Sequence, residues 1–382
     1  MKRCVLLLVV VLGLSSPVAL PAEDPFALVD EVYQLILNYY YRAEEVESED
    51  LVHGALRGMI EALDDPYSEL LTAEEFEQWQ RSLHGEFTGV GIEIGIRDDK
   101  LTVISPLPET PAERAGLRPG DVIVKVDGEP IDGWRMDEIS SAIRGEEGTE
   151  VTLTLERADG DLEDVVLERA TIRLDPVRVE LLDEAPAAHV RIFRMSDDTS
   201  EELGNALADL PLEELDGIVL DLRRNPGGYL RAAVESSAHF LEYGKTVLTT
   251  VGPAYGERIY RSRGGVMPDV PLVVLVDEGT ASAAEILAGA LQDHEAAVLI
   301  GRPTFGKGII QELVAEFPDG SVIKLTTQQY FTPDGHPVHD RGIMPDIEVE
   351  WDPQDADPDE DLDLEAALKW IRSNSASLVG AP

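Results

Sequence analysis

Two spacings of apolar residues run along this chain, and they change over near residue 89. Before it, Leu28, Val32, Leu35 and Ile36, and then Leu51, Leu56, Met59, Ile60 and Leu63, recur at the three-to-four interval of an amphipathic helix. This predicts helices from Phe26 to about Trp79, broken by the polar run Glu44 to Asp50 and ended at Pro66, with Thr72 and Glu75 forming a capping box for the last of them. From Gly89 the interval becomes two, with Val90, Ile92, Ile94 and Ile96 on one face. Short strands follow at Leu101 to Ile104, Val122 to Val126 and Val151 to Leu155, separated by turns such as Asp127-Gly128, which makes a small β-rich module. After Arg169 the strands are continuously apolar, at Val190 to Phe193, Ile218 to Leu222, Leu272 to Val276 and Val298 to Ile300. Interleaved with helices such as Ala283 to Leu291, they predict an α/β core around a largely buried sheet. An acidic run from Trp351 precedes a short helix near Leu364 to Ile371.

With 382 residues the chain has room for two or three domains. The expected division is a leader over 1–22, a helical region over 23–83, the β-rich module over 84–169, the α/β core over 170–350 and an acidic tail over 351–382. Met1 to Ala22 has the layout of a secretory signal, with Lys2 and Arg3 ahead of an apolar stretch from Cys4 to Leu14, so an extracytoplasmic, periplasmic location is expected, an uncleaved anchor being the alternative. Cys4 is the single cysteine, which excludes an internal disulfide and a thiol nucleophile from the mature chain. A formal net charge of −44 excludes nucleic acid and disfavours anionic membrane surfaces as partners. No metal-ligand spacing or phosphate-cradling loop is present, and no cofactor is implied.

Arginine is the ordinary cation here, because only seven of the 31 basic residues are lysine. Lysine, unlike arginine, can lose its proton when desolvated and act as a base, so Lys307 between two glycines in TFGKG is a candidate for chemistry, against the plainer reading of a solvated turn residue. Gln311, four residues on, could hold its amine. Ser282 opens a helix just past a strand end, either as a nucleophile or as an ordinary N-cap. Gly227-Gly228, after the strand DGIVLDL, either lets backbone amides approach a ligand or makes a tight turn. Rival bases are His294, better placed to cap its helix, and His336 and His339.

Three stretches together, LRRNPGG, DEGTASAAEIL and GRPTFGKGIIQ, resemble the carboxyl-terminal processing peptidases of the tail-specific serine protease family. The segment LVHGALRGMIEALDDPYSELL resembles that family's helical region, and FTGVGIEIG with ERAGLRPGDVIVKVDGEPI resembles its PDZ module. The resemblance implies an α/β multidomain fold, with a PDZ domain inserted before a ClpP/crotonase-like protease core. It makes Ser282 the nucleophile, Lys307 the general base, Gln311 the residue orienting the lysine, and Gly228 with Ala283 the oxyanion donors; Asp293 is structural. Thr280 and Ala284 stand where the family often has serine. Thr88, Gly89, Val90, Gly91 and Ile92 would capture a substrate's terminal carboxylate beside a pairing strand edge, and the module would gate activity. Implied partners are proteins with exposed C-terminal tails, an adaptor, and a second copy of the chain through the helical region and tail. A catalytically silent peptide-binding protein and a histidine-dependent esterase are the alternatives.

Overall fold

The structure is a computed structural model describing residues 25–350 and 361–378, apart from 98–99, 108–109, 158–159, 174, 183–184, 266–267 and 269. The expected leader and the acidic run 351–360 lie outside the described residues. The chain divides into two compact units, residues 1–70 and 71–382.

In the first unit, α1 (Pro25–Tyr39) and α2 (Ser48–Glu61) are joined through a 3-10 turn at Ala43–Glu45. Tyr33 OH donates to Ser48 Oγ across the junction (2.8 Å). The apolar stripe of α1 is present, yet Phe26, Leu28, Val29, Val32 and Leu35 are all exposed. The second helix starts inside the polar run that was expected to separate the two. It ends ahead of Pro66, because the chain turns out through Asp64 at positive φ (54°). The strand β1 (Glu69–Leu71) leads into the second unit.

There α3 (Ala73–Leu83) begins on the predicted capping box, with Thr72 Oγ1 accepting from Glu75 N–H and the Glu75 carboxylate accepting from Thr72 N–H. The β-rich module follows: β2 (Glu86–Gly89), β3 (Ile92–Arg97), β4 (Lys100–Pro106), α4 (Pro111–Arg114), β5 (Val122–Val126), β6 (Glu129–Pro130), α5 (Met136–Ile143), β7 (Glu150–Glu156) and β8 (Leu162–Glu168). Its sheet runs β3-β4-β5-β7-β8, with β6 on β5, so β3 is an edge strand. Val103, Val151, Leu153 and Leu155 are fully buried against Ile139 and Ile143 of α5, as alternation predicts. Ile96 departs from the pattern and is exposed near the hairpin end of the edge strand β3, although its partner Leu101 is buried. Beyond the module, β9 (Ala170–Arg173) returns to pair with β2.

The α/β core holds a six-stranded sheet in the order β10 (Val177–Leu182), β11 (Ala187–Ile192), β12 (Gly217–Asp221), β15 (Leu272–Val276), β16 (Val298–Gly301), β19 (Ile347–Glu348); β10 is antiparallel and the rest are parallel. The period of two survives inside the continuous apolar runs. Ile218, Leu220, Val274 and Val276 face one cluster, with helices α6 (Thr199–Ala208), α7 (Leu230–Ser237) and α8 (Ala283–Asp293). Val219, Val273 and Leu275 face the other, under α9 (Leu362–Leu378). A second, antiparallel sheet was not anticipated: β13 (Thr246–Gly252), β14 (Gly256–Arg261), β17 (Ile309–Glu316) and β18 (Val322–Phe331). Its strands carry Thr, Gln and Glu among their apolar residues, which blurs the alternation. Val247, Leu248 and Tyr330 from it join the cluster that holds α8, so that Ala283 through Leu291 are all buried. A helix apolar all round its circumference belongs in such a place.

Candidate active site

Parallel pairing of β12, β15 and β16 sends three loops out from one edge of the sheet, the carboxyl end, where open α/β sheets place their ligands. Gly228 follows β12, Ser282 follows β15 and Lys307 follows β16. The loops are bonded to one another. Buried Asp277 accepts from Arg224 N–H (2.8 Å) and Gly279 N–H (3.0 Å), and Thr280 Oγ1 donates to Leu222 O (2.9 Å). Ala281 N–H donates to Asn225 O (2.9 Å), and Phe305 N–H to Thr280 O (3.0 Å).

Ser282 sits at φ 55°, ψ −120°, a region that costs a non-glycine residue about 1–3 kcal/mol. An ordinary N-cap is extended, so the plainer reading does not account for this geometry. Its N–H donates to Glu285 Oε2 (2.8 Å), and its carbonyl accepts from the buried Tyr330 hydroxyl (3.1 Å). The turn is thus gripped on both sides.

Both glycines after β12 are dictated by crowding. A Cβ on Gly227 (φ 89°) would lie 2.6 Å from Ala281 O and 2.8 Å from Ala283 N, and one on Gly228 (φ 146°) 2.2 Å from Met195 O. The first contact shows the glycine backbone lying directly against the serine turn. Met195 N–H donates to Gly227 O (3.0 Å) and Tyr229 N–H to Met195 O (2.7 Å), which leaves Gly228 N–H outside this pairing. Among the described residues neither Gly228 N–H nor Ala283 N–H has an acceptor.

Lys307 is half-buried, and the glycines around it have the same explanation as those after β12. A Cβ on Gly306 would come 2.9 Å from Gly342 N, and one on Gly308 2.1 Å from His339 N, because the turn Val338 to Gly342 packs against the lysine loop. Gln311 is on β17, where its amide donates to Thr326 Oγ1 on β18 (3.2 Å). Among the rival bases, His294 caps the end of α8 and bonds Thr246 O through Nε2 (2.7 Å), and His336 is exposed beside Asp293 (4.0 Å). His339 is the one whose backbone lies against the lysine loop. Asp293 accepts from Asp334 N–H (2.8 Å), a structural tie.

Glu285 went unnoticed in the sequence. It is the one ionisable residue within Ala283 to Leu291 and is completely buried. A lone carboxylate in an all-apolar helix was the available signal. Besides Ser282 N–H it accepts from Lys307 N–H (2.9 Å), Gly306 N–H (2.8 Å) and Thr304 Oγ1 (2.5 Å). Burial pushes its carboxyl above the usual range, and these hydrogen bonds pull the other way without cancelling it. A second network braces the loops from behind. Arg223 pairs with Asp221 (2.7 Å), Asp361 (2.7 Å) and Asp363 (3.2 Å), while Arg302 pairs with Asp363 and Glu278 (both 3.0 Å), so the start of α9 bridges the roots of two loops. Burial pushes the Asp221 carboxyl up, but His189 and Arg223 outweigh it and hold it well below the usual range.

In the β-rich module, Thr88 and Gly89 pair with Thr171 and Ala170 of β9. Val90 and Gly91 form the loop, and Ile92 opens the edge strand β3. Gly91 (φ 78°) could not carry a side chain, since its Cβ would lie 2.3 Å from Thr110 Cβ. No helix among the described residues is long and apolar enough to cross a membrane.

Comparison with known proteins gives three family matches: peptidase family S41 over residues 187–349, the PDZ domain over 102–157, and the N-terminal domain of the activating protease CtpB over 17–75. A probable CtpA-like serine protease of Staphylococcus aureus (strain COL) is 40% identical over 324 residues, covering 84% of this chain and 64% of that protein; the chain therefore spans somewhat less than two thirds of that relative's length. The carboxy-terminal processing protease CtpA of Bacillus subtilis (strain 168) is 35% identical over 340 residues, covering 89% of this chain and 72% of the relative. Among solved structures, a photosystem II D1 C-terminal processing protease superposes with a TM-score of 0.56 at 29% identity, covering 92% of this chain and 98% of that one.

Proposed function

The chain belongs to peptidase family S41 and carries a PDZ domain, and on that footing we propose that it is a serine endopeptidase cutting proteins near exposed, disordered C termini. The observation that carries this reading is the pair of unclaimed amides, Gly228 N–H and Ala283 N–H, flanking a serine held in a strained turn. Ser282 Oγ attacks the scissile carbonyl while its proton passes to the amine of Lys307. The carbonyl oxygen, now an anion, accepts from the two amides, an arrangement worth about 2.7–4 kcal/mol for each donor. Collapse of the tetrahedral intermediate breaks the C–N bond, and the lysine returns the proton to the leaving amine. Water then attacks the acyl-enzyme by the same route in reverse, restoring Ser282. Gln311 orients the lysine from β17.

Substrate selection follows from the edge strand β3. An extended peptide adds to it as a further strand, and the loop of Thr88, Gly89, Val90, Gly91 and Ile92 receives the terminal carboxylate. Engagement of the tail gates the active site. The secretory layout of Met1 to Ala22 supports a location outside the cytoplasm, and the exposed apolar stripe of α1 supports self-association.

The test is the initial rate of cleavage of a disordered peptide with a free apolar C terminus. Lys307→Ala should lower kcat by about 10³-fold or more, whereas His339→Ala should stay within threefold, as expected where one residue supplies the general base. The reverse pattern would make the base a histidine and the Ser/Lys assignment wrong.

A further inference from the structure

We propose that Glu285 is a positioning residue that sets Ser282 and Lys307 relative to each other, its carboxylate holding the nucleophile turn and the lysine loop at one shared oxygen. The inference rests on the Ser282/Lys307 reading above. The sheet cannot fix that spacing by itself. The last residues paired between β15 and β16 are Val276 and Gly301, and each reacting residue lies six positions beyond its strand (282 − 276 and 307 − 301). Past that point the only strand-derived constraint is the place where each loop begins.

Glu285 closes the gap. Oε2 accepts from Ser282 N–H (2.8 Å) and from Lys307 N–H (2.9 Å), while Oε1 accepts from Gly306 N–H (2.8 Å) and Thr304 Oγ1 (2.5 Å). A carboxylate offers about four acceptor sites, and all four are used. A capping-box glutamate serves the helix it belongs to by binding the N-cap amide. Here three of the four bonds leave the helix for residues 304–307, which an ordinary cap does not require. The bond to Ser282 N–H also works with that of Tyr330 on the Ser282 carbonyl to hold the positive-φ turn. An isosteric amide cannot substitute, because its NH2 would face donors where an acceptor is needed. Displacing a reacting group by about 1 Å can cost on the order of 10²-fold in rate, so the carboxylate bears directly on turnover.

The experiment uses the full chain with Glu285→Gln, measuring kcat and KM for the peptide, the fraction of serine that a fluorophosphonate titrates at completion, and the thermal melt. The expected result is a cooperative melt, KM within threefold, and kcat per titrated site lowered by about 100-fold. A merely structural role would reduce the titrated fraction and the melting temperature but leave kcat per titrated site intact, and that result would overturn the proposal. If Glu285→Gln does not fold, Thr304→Ser and Thr304→Val take its place, the first keeping the hydroxyl donor to Oε1 and the second removing it. The serine variant should match wild type and the valine variant should lose about tenfold in kcat per titrated site, by the same misplacement argument; equal rates would overturn the proposal. Wild-type turnover surviving Ser282→Ala would instead sink the peptidase reading itself.

Discussion

The PDZ module and the α/β core solve different problems with similar materials. In the module the proposed recognition element is an edge strand and the loop that enters it, all within Thr88 to Arg97. Local alternation predicts the strand, and only the sheet order β3-β4-β5-β7-β8 makes it an edge, a strand whose second neighbour is missing. In the core the candidate site draws Gly228, Ser282 and Lys307 from loops separated by long stretches of chain, and parallel strand order alone brings them to one edge. Recognition of a chain end needs a surface; acyl transfer needs groups positioned to a fraction of an ångström. The core accordingly invests buried polar residues in and beside its loops, Asp277, Thr280 and Thr304 in the loops and Glu285 in the first turn of α8. Those residues hold the loops through hydrogen bonds, Asp277 and Thr280 between the first two and Glu285 and Thr304 between the second and third.

The sharpest way to break this comparison is Ser282→Ala. Turnover should fall by about 10⁴-fold or more, as removal of a nucleophile does, while calorimetric affinity of the module for a C-terminal peptide is unchanged. A loss of affinity would mean that the two regions are not separable. The reciprocal variant, Gly91→Ala, forces a side chain onto a positive-φ residue and into Thr110. Peptide affinity should drop about tenfold, roughly 1.4 kcal/mol, with fluorophosphonate labelling of Ser282 retained. Labelling lost along with affinity would show that the module gates the serine even in the absence of substrate.

A smaller effect sharpens the role of the bracing behind the core. Asp363→Ala removes the carboxylate shared by Arg223 and Arg302 and should cost about 1.5–3 kcal/mol of stability, the range for hydrogen bonds to charged groups. Urea denaturation would show it, and no change would reduce the α9 bridge to a surface contact. The same network has a pH signature. The Asp221 and Asp361 carboxyls are held below their unfolded values, so their stabilisation is complete above about pH 4 and is lost as the pH falls. Glu285, pushed upward, acts in the opposite sense: its contribution is present in acid and lost as the pH rises through its folded value.

The apolar sequence by itself determined most of the architecture. Val122 to Val126 and Leu272 to Val276 are strands over just those residues, and Thr72 with Glu75 caps α3 as its side chains require. Short-range periodicity suffices wherever one face of an element is buried. It fails for β13, β14, β17 and β18, whose polar residues blur the alternation, and for the uncovered stripe of α1, which carries the pattern of a buried face while standing exposed. The candidate residues Ser282, Lys307 and Gly228 were legible as types in glycine-rich or strand-end settings. The reason for those glycines was not legible, since it lies in Met195, Ala281, His339 and Gly342, residues remote in sequence or known to be close only once the loops are folded. Nor was Glu285, whose role depends on the partners of its four lone pairs. Chain-local propensity writes elements into sequence, but the crowding and hydrogen bonding that set a catalytic geometry arise between segments, and only the packed tertiary structure decides them.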